Sequence, residues 1–187
     1  MHATAPQQPT GTGAYAARVE ALLAELGIPV SAFAHRGLPF FPEPAELVVA
    51  QTDADGREHR LTPAANAAWQ AMAAAARADG IELYIVSAYR DLERQADIIR
   101  RKQRLGVPLE RILAASAPPG YSEHHTGRAV DINTPGCRAL EEEFEHTEAF
   151  RWLTRHAGAF GFTLSFPRGN RYGYIFEPWH WLCAESP

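Results

Sequence analysis

Residues 161–183 read Gly161-Phe162-Thr163-Leu164-Ser165-Phe166-Pro167-Arg168-Gly169-Asn170-Arg171-Tyr172-Gly173-Tyr174-Ile175-Phe176-Glu177-Pro178-Trp179-His180-Trp181-Leu182-Cys183. Two apolar and aromatic runs, at about 161–166 and 173–182, flank a short polar loop at 167–172. Such runs around a turn-rich loop predict two strands. A parallel pair needs a crossover of a dozen residues or more, so strands joined this closely lie in an antiparallel or mixed sheet.

Upstream, helices and strands alternate. Val19, Leu22, Leu23 and Leu26 recur at helical spacing before Gly27 and Pro29, which predicts a helix over 14–26. Residues 28–46 are proline-rich and predict an extended connection. Leu47 to Gln51 and Glu58 to Leu61 flank Asp53-Ala54-Asp55-Gly56, a hairpin signal. Thr62 caps a second helix with Pro63 at its first position, and Trp69, Met72, Ala73 and Ala76 form its apolar stripe. Ile81 to Val86 predicts a strand, Asp91 caps a helix to about Arg104, and residues 108–115 predict another short helix. A strand near 128–133 and a helix carrying Ala149, Trp152, Leu153 and His156 precede the closing pair. The expected fold class is α+β, a small central antiparallel or mixed sheet with surrounding helices. Residues 1–13 predict a disordered tail and residues 14–187 a single domain.

Composition narrows the function. A length of 187 residues, 46% hydrophobic and 21% charged, fits one folded domain and rules out wholesale disorder. No run approaches the roughly 20 apolar residues of a membrane span. A net charge of -4, a pI near 6.1 and no basic stripe argue against a nucleic-acid partner. Two cysteines are too few for a disulfide scaffold or a four-thiolate zinc site. Arginine greatly outnumbers lysine, present only as Lys102, and with abundant alanine this reads as GC-rich codon usage. Residues 1–13 have neither the basic start nor the apolar stretch of a secretory leader, which leaves a cytoplasmic protein and an exported one with its leader trimmed both open.

Three segments carry candidate chemistry. In Ser122-Glu123-His124-His125-Thr126-Gly127-Arg128-Ala129-Val130-Asp131, His124 and Asp131 suit zinc. Seven residues apart, they share no helical face and would meet only through a turn at Gly127; a solvated or structural pair has the same appearance. In Glu177-Pro178-Trp179-His180, His180 supplies a third ligand. Two imidazoles and a carboxylate leave the fourth zinc position open, the pattern of catalytic zinc. Glu177 is an acid in an aromatic stretch, suited to general base work, the alternative being a salt bridge to an arginine. In Ser87-Ala88-Tyr89-Arg90-Asp91-Leu92-Glu93-Arg94-Gln95, Arg90 stands where a strand gives way to a helix. There it can grip a carboxylate or an oxyanion, the alternative being an ordinary surface arginine.

Together these segments resemble the VanY-type D-alanyl-D-alanine carboxypeptidases, zinc peptidases of bacterial peptidoglycan. Ser122, His124, Gly127, Ala129 and Asp131 match S-x-H-x-x-G-x-A-x-D; Glu177, Pro178, Trp179 and His180 match E-P-W-H; Ser87, Tyr89, Arg90 and Gln95 match S-x-Y-R-x-x-x-x-Q. The resemblance covers residues 60–183. It implies a hedgehog/D-Ala-D-Ala-peptidase-like fold with zinc on His124, Asp131 and His180. Glu177 would act as base and then acid. Arg90 and Ser122 would hold the substrate's terminal carboxylate or the polarised carbonyl, with Gln95 supporting that pocket. The implied substrate is a peptidoglycan stem peptide ending in D-alanine, cut by a D,D- or L,D-carboxypeptidase. An endopeptidase of the same superfamily and a non-catalytic zinc module are the alternatives. Trp181-Leu182-Cys183 stands where the family commonly has a pair such as Arg-Tyr, and Asp91 stands where serine is frequent.

Other residues have plainer readings. His125 would point away from its neighbour along an extended backbone and is expected not to bind metal. Glu141, Glu142, Glu143 and Glu145 read as a solvated face. Cys137 and Cys183 flank the two zinc-binding segments, so a disulfide between them is open.

Overall fold

The computed structural model describes residues 13–185. The tail expected over 1–13 therefore lies outside the described residues, save Gly13, which opens helix α1 (Gly13–Glu25). The proline-rich connection is less extended than its sequence suggests. It turns twice in 3-10 geometry, at Val30–Ala32 and Ala34–Arg36, before running on irregularly. The expected hairpin forms as a separate two-stranded sheet, β1 (Val48–Thr52) with β2 (Glu58–Leu61).

Helix α2 (Pro63–Ala78) starts where its cap predicts, with the Thr62 side chain accepting from the Ala65 N–H. It buries Ala65, Trp69, Met72 and Ala76. Strand β3 (Tyr84–Ser87) leads to Asp91, whose carboxylate accepts from the Arg94 N–H and opens α3 (Leu92–Arg104). Short helix α4 (Leu109–Ala115), strand β4 (Ala129–Asn133), helix α5 (Glu148–His156) and strands β5 (Phe162–Leu164) and β6 (His180–Cys183) complete the chain.

The main sheet has the order β3-β4-β6-β5 with every pair antiparallel, as the closely joined last strands required. The strand expected over 173–182 is mostly absent: β6 begins only at His180. The reason is local. Pro178 has no N–H to give a ladder. The His180 N–H closes a turn on the Glu177 carbonyl at 3.1 Å, while the Glu177 N–H reaches the Phe166 carbonyl at 3.1 Å.

Two apolar cores result. One joins α2 and α5 to the sheet through Trp69, Ile85, Ile132, Leu153 and Phe162. The other joins α1, α3 and α4 through Leu22, Leu23, Ile99 and Ile112, with Phe33 of the proline-rich segment. A cleft lies between them. Gly127 lets the chain turn into β4 beneath it. Its φ is +64°, and a Cβ there would sit 2.8 Å from the Leu47 side chain. Its carbonyl also accepts from the Thr62 N–H at 2.9 Å.

Candidate active site

The sheet sets the site's spacing. Asp131 on β4 is in register with Ser87 on β3 and with His180 on β6. His124 arrives from a 3-10 turn at Glu123–Thr126, which Gly127 ends in the left-handed conformation. His124, Asp131 and His180 are all buried, and each offers a ligand atom within 4.8 Å of the others.

Hydrogen bonds fix which atoms those are. His124 Nδ1 lies 2.6 Å from the Ala88 carbonyl. A carbonyl only accepts, so Nδ1 carries the proton and Nε2 keeps a bare lone pair. That Nε2 is buried without a hydrogen-bond partner. It sits 3.3 Å from Asp131 Oδ2, itself an acceptor. Two acceptors held face to face in a buried place call for a cation between them. His180 lies between carboxylates, Nδ1 at 3.0 Å from Asp131 Oδ1 and Nε2 at 2.9 Å from Glu123 Oε2. The donation to Glu123 frees Nδ1 to face the cluster, the arrangement that orients a metal-binding imidazole. Two imidazoles and one carboxylate fit zinc with a position left open.

Charge follows from the same geometry. Burial, aided by the Arg90 charge, pulls His124 down to about 4, so it is neutral at physiological pH. Burial also works against a charged His180, but the hydrogen bonds and charges of Asp131 and Glu123 prevail and raise it to about 10. Asp131 is held far below the usual carboxylate range: burial opposes its charge, and the two histidines outweigh burial.

Glu177 stands at the turn before β6 with Oε2 3.9 Å from His180 Nδ1. Burial pushes it up to about 7, against the pull of His180. A carboxyl near neutrality can both take and give a proton at physiological pH.

Arg90, Gln95, Ser122 and Glu177 join the three clustered residues on the wall of one cavity of about 320 Å3. Arg90 Nε and Gln95 Oε1 are buried there without partners. The Gln95 amide is fixed by donating from Nε2 to the Ala117 carbonyl at 2.7 Å. His125 turns away from the cluster. Its Nδ1 donates to the Arg90 carbonyl at 2.7 Å, and its Nε2 accepts from the Gly120 N–H at 3.0 Å. It therefore anchors the backbone of Arg90. Cys137 and Cys183 are both free thiols.

Sequence reasoning missed three residues of the site, Glu123, Phe166 and Lys102. Glu123 occupies an unspecified motif position, and its bond to His180 spans 57 residues. Phe166 packs on the His180 ring at 4.6 Å and on Tyr174 at 4.6 Å. Lys102 also lines the cavity. Its helical spacing from Gln95 is the one signal that points to it. Trp179 and Trp181 both pack in the main core, and Trp179 also lines the cavity.

Comparison with known proteins gives a consistent picture. The VanY family, described as D-alanyl-D-alanine carboxypeptidase, matches residues 58–184. A D-alanyl-D-alanine carboxypeptidase of Enterococcus faecalis is 35% identical over 117 residues, 57% of this chain and 42% of that protein. The chain spans 30% to 55% of the length of the curated relatives it matches. The structure of the LdcB LD-carboxypeptidase superimposes with a TM-score of 0.66 at 33% identity, covering 78% of this chain and 71% of that one. A mutant of the vancomycin-resistance D,D-pentapeptidase VanY, solved in complex with Zn(II), gives a TM-score of 0.59 at 30% identity, covering 76% and 82%. With two thirds of its length matched end to end, the chain belongs to the VanY D-alanyl-D-alanine carboxypeptidase family.

Proposed function

We propose that this protein is a zinc carboxypeptidase that removes the C-terminal D-alanine from a peptidoglycan stem peptide. The observation that carries the reading is the meeting, in one cavity, of His124, Asp131 and His180 with Glu177 and Arg90. His124 through Nε2, Asp131 through its carboxylate and His180 through Nδ1 would hold the zinc. Bound there, zinc would supply Lewis acidity for a water molecule and for a peptide carbonyl.

The protein's own groups do the rest. Arg90 holds the terminal carboxylate in two parallel hydrogen bonds, helped by Ser122 and Gln95. This sets the last peptide bond beside Glu177. Glu177, as a carboxylate, takes the proton of the attacking water. As an acid it then hands that proton to the departing D-alanine amine, and it returns to its starting state. No covalent intermediate with the protein forms. Apolar wall residues, Phe166 and Trp179 among them, strengthen each charge interaction in the cavity.

The unpartnered, buried Arg90 Nε donor favours an exopeptidase over an endopeptidase, because a free C-terminal carboxylate matches it and a continuing chain does not. The complete set of ligands, base and carboxylate grip likewise favours an enzyme over a silent zinc module. Zinc-loaded protein should be incubated with stem tetrapeptide and pentapeptide and the products weighed by mass spectrometry. Loss of one alanine supports the reading, with the pentapeptide indicating D,D- and the tetrapeptide L,D-specificity. Cleavage inside the stem, or none, overturns it.

A further inference from the structure

We propose that Lys102 is a specificity-determining residue that reads an internal carboxylate of the substrate, upstream of the terminal D-alanine. The inference rests on the carboxypeptidase reading above.

Gln95, Ile98 and Lys102 are spaced i, i+3, i+7 on α3, and all three line the cavity. At 1.5 Å per residue, Lys102 lies about 10 Å along the α3 axis from Gln95. An extended peptide advances about 3.3 Å per residue, so Lys102 stands beside a residue roughly three positions from one at Gln95. The cavity thus carries two cationic side chains, Arg90 and Lys102.

The Lys102 ammonium feels the charge of Glu177 but makes no ion pair with it. Nζ donates to Ser116 Oγ at 2.7 Å, and the Ser116 hydroxyl in turn donates a hydrogen bond to the Ala115 carbonyl at 2.7 Å. This uses one of three N–H donors. No carboxylate pairs with Lys102 among the described residues, whereas Arg100, Arg138, Arg151 and Arg168 each have at least one. Ile98, Ala115 and Ile175 are among the apolar residues that line the same cavity. The side chain is half-buried, and burial pulls its pKa below the usual lysine range, opposed by the charge of Glu177 in the same cavity and aided by that of Arg90. A partly desolvated charge held by one serine is completed by a ligand carboxylate, while Arg90 takes the terminal one. Stem peptides offer two internal acids of this chemistry: the α-carboxylate of a γ-linked glutamate and the side-chain carboxylate of a diamino acid.

The test compares three stem peptides ending in D-alanine, of a length the protein cuts. One has both internal carboxylates free, one is amidated at the glutamate, and one is amidated at the diamino acid. kcat/KM is measured for zinc-loaded wild type, Lys102→Met and Lys102→Arg, and binding is measured by calorimetry in a Glu177→Ala background. The wild type should prefer the free acid over one amide by about tenfold to a hundredfold, the range for a hydrogen bond to a charged group. Lys102→Met should bring that ratio close to one, and Lys102→Arg should keep it. The amide that is disfavoured identifies the carboxylate. Equal rates for all three peptides in the wild type, or an unchanged ratio in Lys102→Met, overturn the inference while leaving the carboxypeptidase reading intact. If no peptide is bound or cut, that reading falls and this inference falls with it.

Discussion

Asp131 and His180 face one another across neighbouring antiparallel strands, and their side chains meet at 3.0 Å, Oδ1 to Nδ1. The backbone ladder therefore fixes two of the three candidate metal ligands before any metal arrives. In the metal-free protein the pair is an ion pair, with His180 protonated between Asp131 and Glu123. Zinc must displace that proton. His124 is already neutral, so it releases none. Zinc affinity should rise about tenfold per pH unit between pH 7.5 and 8.5, close to one proton per ion, in competition titrations against a chelator. A flat profile would contradict the protonated His180.

Glu123 should matter to the metal without touching it. Glu123→Gln removes the charge that orients His180 through Nε2. Zinc affinity should fall about 10- to 100-fold with the fold retained, as chelator competition and circular dichroism would register.

Glu177 has a consequence for the metal-free fold. Its folded pKa of about 7 lies above its ordinary 4.5, so the folded state binds more protons than the unfolded state between those values. Stability is then lost as pH rises from about 4.5 to 7 and stays lost above. Glu177→Gln cannot ionise and escapes this loss. Metal-free Glu177→Gln should match the wild type near pH 4.5 and exceed it at pH 8 by up to about 3 kcal/mol, by denaturant titration. A gap that closes as pH rises would contradict the burial argument.

Gly127 combines a left-handed φ with a close approach to Leu47. Gly127→Ala adds strain and a clash at the turn between His124 and β4. A loss of about 2 kcal/mol or more is expected, with weakened zinc binding, by thermal unfolding and metal analysis.

Much of this was legible in the sequence, because local rules carried it. Thr62 and Asp91 cap their helices as their types dictate, and the Asp-Gly hairpin forms where its turn residues stand. The short loop at 167–172 correctly required antiparallel strands. The extent of β6 differs from expectation because the aromatic residues from Tyr174 to Trp181 suggest one strand, while Pro178 and the 177–180 turn delay the ladder until His180. Glu123 and Lys102 were missed for another reason. Their roles depend on partners brought close only by the fold, His180 for one and the cleft wall for the other. The skew that left a single lysine in the chain reads as codon usage, yet that lysine stands in the cavity.

The most direct test of the account is Glu177→Gln, with zinc content and turnover measured on the same sample. The account predicts one zinc per chain and release of D-alanine slowed about 10²- to 10⁴-fold, the range for losing a general acid–base group. One zinc with undiminished turnover would contradict it.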